Sequence, residues 1–315
     1  MSVDLAIVAG GAAVGFVVGL TGMGGGALMT PMLVFFFNVN PLTAVSSDLV
    51  ASLFMKPVGA FVHLRRGTVH LELVRYLCIG SVPAAFLGVF VLRWLGKRGD
   101  GVDNVVTVAL GLALIAAVGA MLAKGVVSVR RHGASARQPD RSGGDRRSVL
   151  TVRPGRTVAI GAVGGLIVGM TSVGSGSLII VALLLVYPIL TARELVGTDL
   201  VQAVPLVGSA ALGHMLFGDV AFGLTVSLLL GAMPGAFFGA RLSSRAPQML
   251  IRRAIAIVLL ASGLKLLGVP TPVTALVLVG SILCGPVVWM MIRRWSGLPM
   301  LWRTERRHAT DKVLV

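Results

Sequence analysis

Apolar segments recur along the chain near 5–20, 26–37, 42–63, 71–92, 103–123, 158–170, 176–187, 194–216, 221–241, 253–268 and 273–292. Many approach the ~20 residues that a helix needs to cross a bilayer, so the pattern predicts an all-α polytopic membrane protein. Two stretches break it. Residues 124–157, rich in Arg, Gly and Ser, read as a solvated linker, and 293–315 as a basic tail. The chain therefore divides into a first transmembrane repeat (1–123), the linker (124–157), a second repeat with one additional C-terminal helix (158–292), and the tail (293–315). The N-terminal apolar run carries no preceding Lys or Arg, a poor match to a signal peptide, and is read as part of the membrane domain.

The two halves resemble each other. "GLTGMGGGAL" (19–28) aligns with "GMTSVGSGSL" (169–178) at an offset of 150. After one extra residue in the second copy the offset becomes 151 and holds. "SDLV" (47–50) meets "TDLV" (198–201), His63 meets His214, Gly67 meets Gly218, and "GSVPAAFLG" (80–88) meets "GAMPGAFFG" (231–239). Pro83 and Pro234 fall at matched positions, so bends there belong to the repeat. Paired halves with glycine-interrupted apolar segments are the sequence sign of a transporter's binding site.

Composition and charge narrow the class. The chain is 56% hydrophobic and 13% charged, against about 25% charged residues in soluble domains. Its net charge is +16, but 124–157 carries nine Lys or Arg against Asp140 and Asp145, and 293–315 carries six against Glu305 and Asp311. Charge gathered beside apolar spans, without aromatic interleaving, fits the positive-inside rule and not nucleic-acid binding. With linker and C-terminus in the cytoplasm, Arg241, Arg245, Arg252 and Arg253 fall inside and Asp219 outside, while Arg65 and Arg66 fall inside. The matched loops at Gly67 and Gly218 then lie on opposite faces, which makes the repeats inverted. The count works only if each glycine cluster tips a helical hairpin. The expected architecture is two inverted-topology repeats, each a glycine-tipped broken or re-entrant hairpin plus three transmembrane helices. The two cysteines, Cys78 and Cys284, sit in separate apolar runs and support neither a disulfide framework nor a metal site.

Candidate chemistry follows. Irregular backbone at membrane depth is tolerated where it is buried in protein or lines a wet cavity. A helix starting at Gly24, Gly25 and Gly26, or at Gly174, Ser175 and Gly176, offers N–H groups and a positive dipole end to an anion. Gly22, Thr21, Thr171, Ser172 and Ser177 extend these tips. Glycine clusters also serve close helix packing. Asp48, Ser52, Lys56, Gly59 and His63 share one helical face, and Lys56 lies near mid-span. Lys56 is a candidate anion ligand, or a partner of Asp48 through an intermediate group. The second copy keeps Asp199 and His214 but has Val207 in place of Lys56. Asp48 and Asp199 are candidates for proton coupling or for helix capping, with Gln202 one turn from Asp199. His63 and His214 are expected in interfacial packing.

The first-copy motif "GLTGMGGGALMTPMLV", followed by "AVSSDLV" and the "HLRRGTV" loop, resembles the sulfite exporter TauE/SafE family of bacterial inner-membrane transporters. This family is also called the toluene-sulfonate uptake permease family. The resemblance covers about 12–268 and implies transport of sulfite, sulfonates or related anions, with no cofactor. It carries over Gly22, Gly24, Gly25 and Gly26, with Gly174, Ser175 and Gly176 as second-copy equivalents. Ser172 stands where Gly22 stands and Ser175 where Gly25 stands, a departure from strict symmetry.

The reading is therefore a secondary transporter of a small anion, not an enzyme, multi-pass in the inner membrane. Its partners are that anion and bilayer lipid; the apolar exterior leaves a homodimer open. A passive anion channel is the alternative. An intramembrane hydrolase using Ser175 and His214 is a third reading, weakened because Val173 breaks the Gly-x-Ser-Gly pattern.

Overall fold

The computed structural model describes residues 4–21, 25–98, 101–137, 151–242 and 248–295. These form eleven helices and no strand: α1 (Leu5–Thr21), α2 (Gly26–Phe36), α3 (Pro41–Arg65), α4 (Leu71–Arg98), α5 (Val102–Arg137), α6 (Pro154–Thr171), α7 (Leu178–Val186), α8 (Ala192–Phe217), α9 (Phe222–Leu242), α10 (Gln248–Leu266) and α11 (Thr271–Trp295). Of these, α3, α4, α5, α8 and α9 are long and apolar enough to cross a membrane. Each expected apolar segment became one helix. The stretch expected as a linker is partly helical, because α5 continues to Arg137 and α6 opens at Pro154. Residues 138–150 of that stretch and 296–315 of the tail lie outside the described residues, as do Gly22 and Gly24.

Local sequence explains the boundaries. Asn40 accepts from the Leu42 N–H and Pro41 opens α3; Thr191 and Glu194 form a capping box at the start of α8. Pro31, Pro57, Pro205 and Pro234 lie inside α2, α3, α8 and α9 without ending them.

Helices α1 and α2 fold back on each other, since Gly10 faces Met32 and Phe37. Helices α6 and α7 do the same: Gly164 faces Ile179, and the Tyr187 hydroxyl reaches Thr157 at 2.5 Å. With 11 and 9 residues, α2 and α7 span about 16 and 13 Å at ~1.5 Å per residue. That is roughly half of a ~30 Å hydrocarbon core, too short for either helix alone to cross one.

The halves interlock through glycine. Gly11, Gly15 and Gly19 of α1 lie on the backbone of Leu228, Ala232 and Ala236 in α9. At offsets of 150 and 151, Gly161, Gly165 and Gly169 of α6 lie on Leu77, Ser81 and Ala85 in α4. Each of these pairs runs parallel. A methyl group at Gly15 or Gly165 would stand 2.4 Å from the facing carbonyl oxygen, so only glycine permits the approach. Helix α3 crosses α8 in the antiparallel sense, with Gly59 against Leu200 and Leu53 against Gly208. The Ala221 N–H donates to Ser47 Oγ at 3.3 Å, and the His70 N–H donates to Thr198 Oγ1 at 3.2 Å. These two bonds exchange with each other at the offset of 151.

Gly15→Ala and Gly165→Ala are each expected to cost ~1–3 kcal/mol through overpacking, measured as a lower melting temperature in detergent. Gly119→Ala, where nothing lies within 4 Å, is expected to leave it unchanged or slightly higher.

Candidate functional site

The start of α2 meets the tip between α6 and α7. The tip between α6 and α7 is irregular. Ser172 takes φ 60°, Gly174 φ 125° and Gly176 φ 94°, values that glycine tolerates and serine rarely adopts. Gly26, at the start of α2, abuts the Ser172 backbone: a methyl group there would stand 2.1 Å from the Ser172 carbonyl oxygen.

The charged side chains converge on this second tip. Ser172 Oγ donates to Asp48 Oδ2 at 2.7 Å, and Thr30 Oγ1 of α2 donates to the same oxygen at 3.2 Å. Lys56 Nζ donates to Ser175 Oγ at 2.6 Å. The Asp199 carboxylate lies near the Gly176 backbone, and Lys56 lies within Coulombic reach of both Asp48 and Asp199. The two carboxylates and the ammonium are thus linked through the tip, Lys56 by Ser175 and Asp48 by Ser172. Asp48 and Asp199 are buried, and each leaves one carboxylate oxygen without a hydrogen-bond partner. Gln202 donates to Ser81 Oγ at 2.7 Å and leaves its Oε1 unpartnered.

The tip N–H groups are partly occupied. The Gly174 carbonyl accepts from the N–H groups of Ser177, Leu178 and Ile179, and the Gly25 carbonyl accepts from those of Leu28 and Met29. The first turn of α7 therefore presents fewer free donors than a bare helix start would, and an anionic group, Asp199, already lies near Gly176. A cavity of about 10 Å³ beside this tip is lined by Ala27, Ala117, Met121, Ser175, Gly176, Ser177 and Leu259. It has room for about one water molecule.

Other expected residues fall around this centre. Thr21 and Thr171 donate to backbone carbonyls of their own helices, at Val17 and Ile167. Asp48 and Asp199 lie two turns into α3 and α8, whose caps are Asn40 and Thr191, so they do not act as caps. His214 is buried, with Nδ1 2.8 Å from Ser46 Oγ and Nε2 2.8 Å from the Gly169 carbonyl oxygen. A carbonyl only accepts, so Nε2 carries a hydrogen. Both nitrogens are engaged, and Ser175 bonds to Lys56; the Ser175–His214 pair that a hydrolase needs is not formed. His63 lies at the end of α3 against Thr68, Nδ1 to Oγ1 2.9 Å, and close to Gly197. Thr30, Ser46 and Ser81 escaped sequence reasoning. The signal for Thr30 was a lone hydroxyl in an apolar run.

Known proteins bear on this arrangement. The chain is 36% identical to the probable membrane transporter protein YjnA of Bacillus subtilis (strain 168), over 85% of this chain and all of that protein. It is 25% identical to the probable membrane transporter protein YdhB of the same organism, over 80% of this chain and 96% of that protein. YunE, another probable membrane transporter protein of B. subtilis, is 24% identical over 80% of this chain and 93% of its own length. No solved structure matches. The family described as Sulfite exporter TauE/SafE matches residues 7–266, and the chain, with its broken helices meeting at a buried charge cluster, belongs to that family.

Proposed function

We propose that the protein is a secondary transporter that carries a small anion, such as sulfite, a sulfonate or a related organic acid anion, across the bacterial inner membrane by alternating access. The observation that carries this reading is the Lys56 ammonium, seated at mid-span on the irregular tip at Ser175. A cation at that depth, beside backbone that departs from the helix, makes a site for a desolvated anion.

Inverted repeats are the machinery of this reading. Exchanging the halves maps the α1–α9 packing onto α6–α4 and one inter-half hydrogen bond onto the other. The antiparallel crossing of α3 and α8 gives matched helices opposite directions. Such a molecule rocks one half against the other around a fixed centre. The substrate anion replaces the Asp199 carboxylate at the tip and engages Lys56, Ser175 and Gly176, with Ser172 and Thr171 behind them and Gly25 and Gly26 opposite.

Charge balance sets the coupling. Asp48 and Asp199 balance Lys56 and Lys124 when all four are ionised, and an entering anion makes the centre net negative. Proton uptake by Asp48 or Asp199 with the anion restores the balance. The linker and C-terminus face the cytoplasm in this arrangement.

Lys56→Ala is expected to reduce saturable sulfite counterflow in proteoliposomes by at least about tenfold, the loss of one charge-assisted bond. Lys56→Arg is expected to retain part of it. Counterflow undiminished in Lys56→Ala contradicts the assignment. Asp199→Asn is expected to keep sulfite exchange and to lose accumulation driven by a pH gradient; gradient-driven accumulation that survives in both Asp199→Asn and Asp48→Asn contradicts proton coupling through these carboxylates.

A further inference from the structure

The cavity at the second tip has a second cationic feature, on the side where the linker emerges. On α5, Ala117 and Met121 line the cavity, and Lys124 follows three residues later along the same face. On α10, Leu259 lines the cavity, and Arg252 precedes it by seven residues, again on the same face. The two helices run antiparallel: Gly111 faces Gly263 and Leu267, and Gly263 faces Ile115. That register sets Lys124 opposite Arg252, one turn beyond the cavity toward Arg137, and the two lie within Coulombic reach of each other. Asp199 also lies within reach of Lys124. The buried Asp199 carboxylate therefore lies within reach of both Lys56 and Lys124, near the Gly176 backbone, and keeps one oxygen unpartnered.

Two cations facing each other repel unless an anion lies between them. We infer that Lys124 and Arg252 form the linker-side mouth of the anion route, a binding station from which a small oxyanion passes to Lys56 and the tip. Lys124 is half-buried and Arg252 exposed, so the pair reaches from the bundle interior to its surface. An anion arriving there meets Arg252 first, then Lys124. Lys124 also attracts the Asp199 carboxylate and draws it from the tip as the anion takes its place at Gly176. The station serves one face only, because both Lys56 and Lys124 gather around the second tip and Val207 replaces the matched lysine in the other half. This inference rests on the transporter reading and adds a sided affinity that the reading alone does not require.

The test uses the full-length protein, with sulfite transport measured in spheroplasts and in inverted membrane vesicles so that each face meets substrate in turn. Lys124→Gln is expected to raise the sulfite KM about tenfold at the linker-side face, the loss of one charge-assisted contact, and to leave the other face unchanged. Lys124→Arg is expected to stay near the wild type, and Arg252→Gln to shift the same face by less. If Lys124→Gln does not fold, Arg252→Gln carries the same test. An unchanged KM at both faces, or an equal rise at both, in a protein whose wild type moves sulfite, overturns this inference and leaves the transporter reading standing. A wild type that moves no sulfur oxyanion or sulfonate from either face overturns both.

Discussion

Broken backbone at membrane depth must find its hydrogen bonds inside the protein, and this requirement holds the structure together. The tip at 172–177 leaves helical geometry through left-handed φ values at Ser172, Gly174 and Gly176. Its polar groups are then answered by side chains from elsewhere in the chain: Asp48 on Ser172 and Lys56 on Ser175, with Asp199 near the Gly176 backbone. The same contacts answer the charges. A carboxylate or ammonium without a partner would be costly at that depth, and here each lies on the tip. Neither the tip nor the charges would be tolerable alone.

Glycine sets the distance at which this becomes possible. The stripes at Gly11, Gly15 and Gly19, and at Gly161, Gly165 and Gly169, bring each first hairpin arm onto a long helix of the other half. Each half is thus completed by the other. Gly26 and Ser172 meet where a side chain on Gly26 would keep them apart.

Much of this was legible in the sequence, for physical reasons. Apolar runs gave all eleven helices, the long ones through length and hydropathy and short ones such as α2 and α7 through the glycine clusters that precede them. The repeat showed itself in "SDLV" and "TDLV", and Lys56 stood out because lysine at mid-span is costly. The helix in the first part of the linker was not legible from its composition: Lys124, Arg130 and Arg131 are good helix formers, and α5 carries on through them to Arg137. The partners of the charges were not legible. Lys56 and Ser175 are 119 residues apart, Asp48 and Ser172 are 124, and only the packing of the halves brings them together. The glycine stripes were visible at i, i+4 spacing in both copies, but the helices they would meet were not. Their partners come from the opposite half, a pairing that local pattern does not encode.

Anomalous diffraction from crystals soaked in selenite, a heavier relative of sulfite, tests the central claim most directly. A selenium peak within hydrogen-bonding distance of Lys56 Nζ and the Ser175–Gly176 backbone, with the Asp199 carboxylate displaced, is the result expected. Selenite bound elsewhere, with Lys56 still on Ser175 and Asp199 still near Gly176, would contradict it.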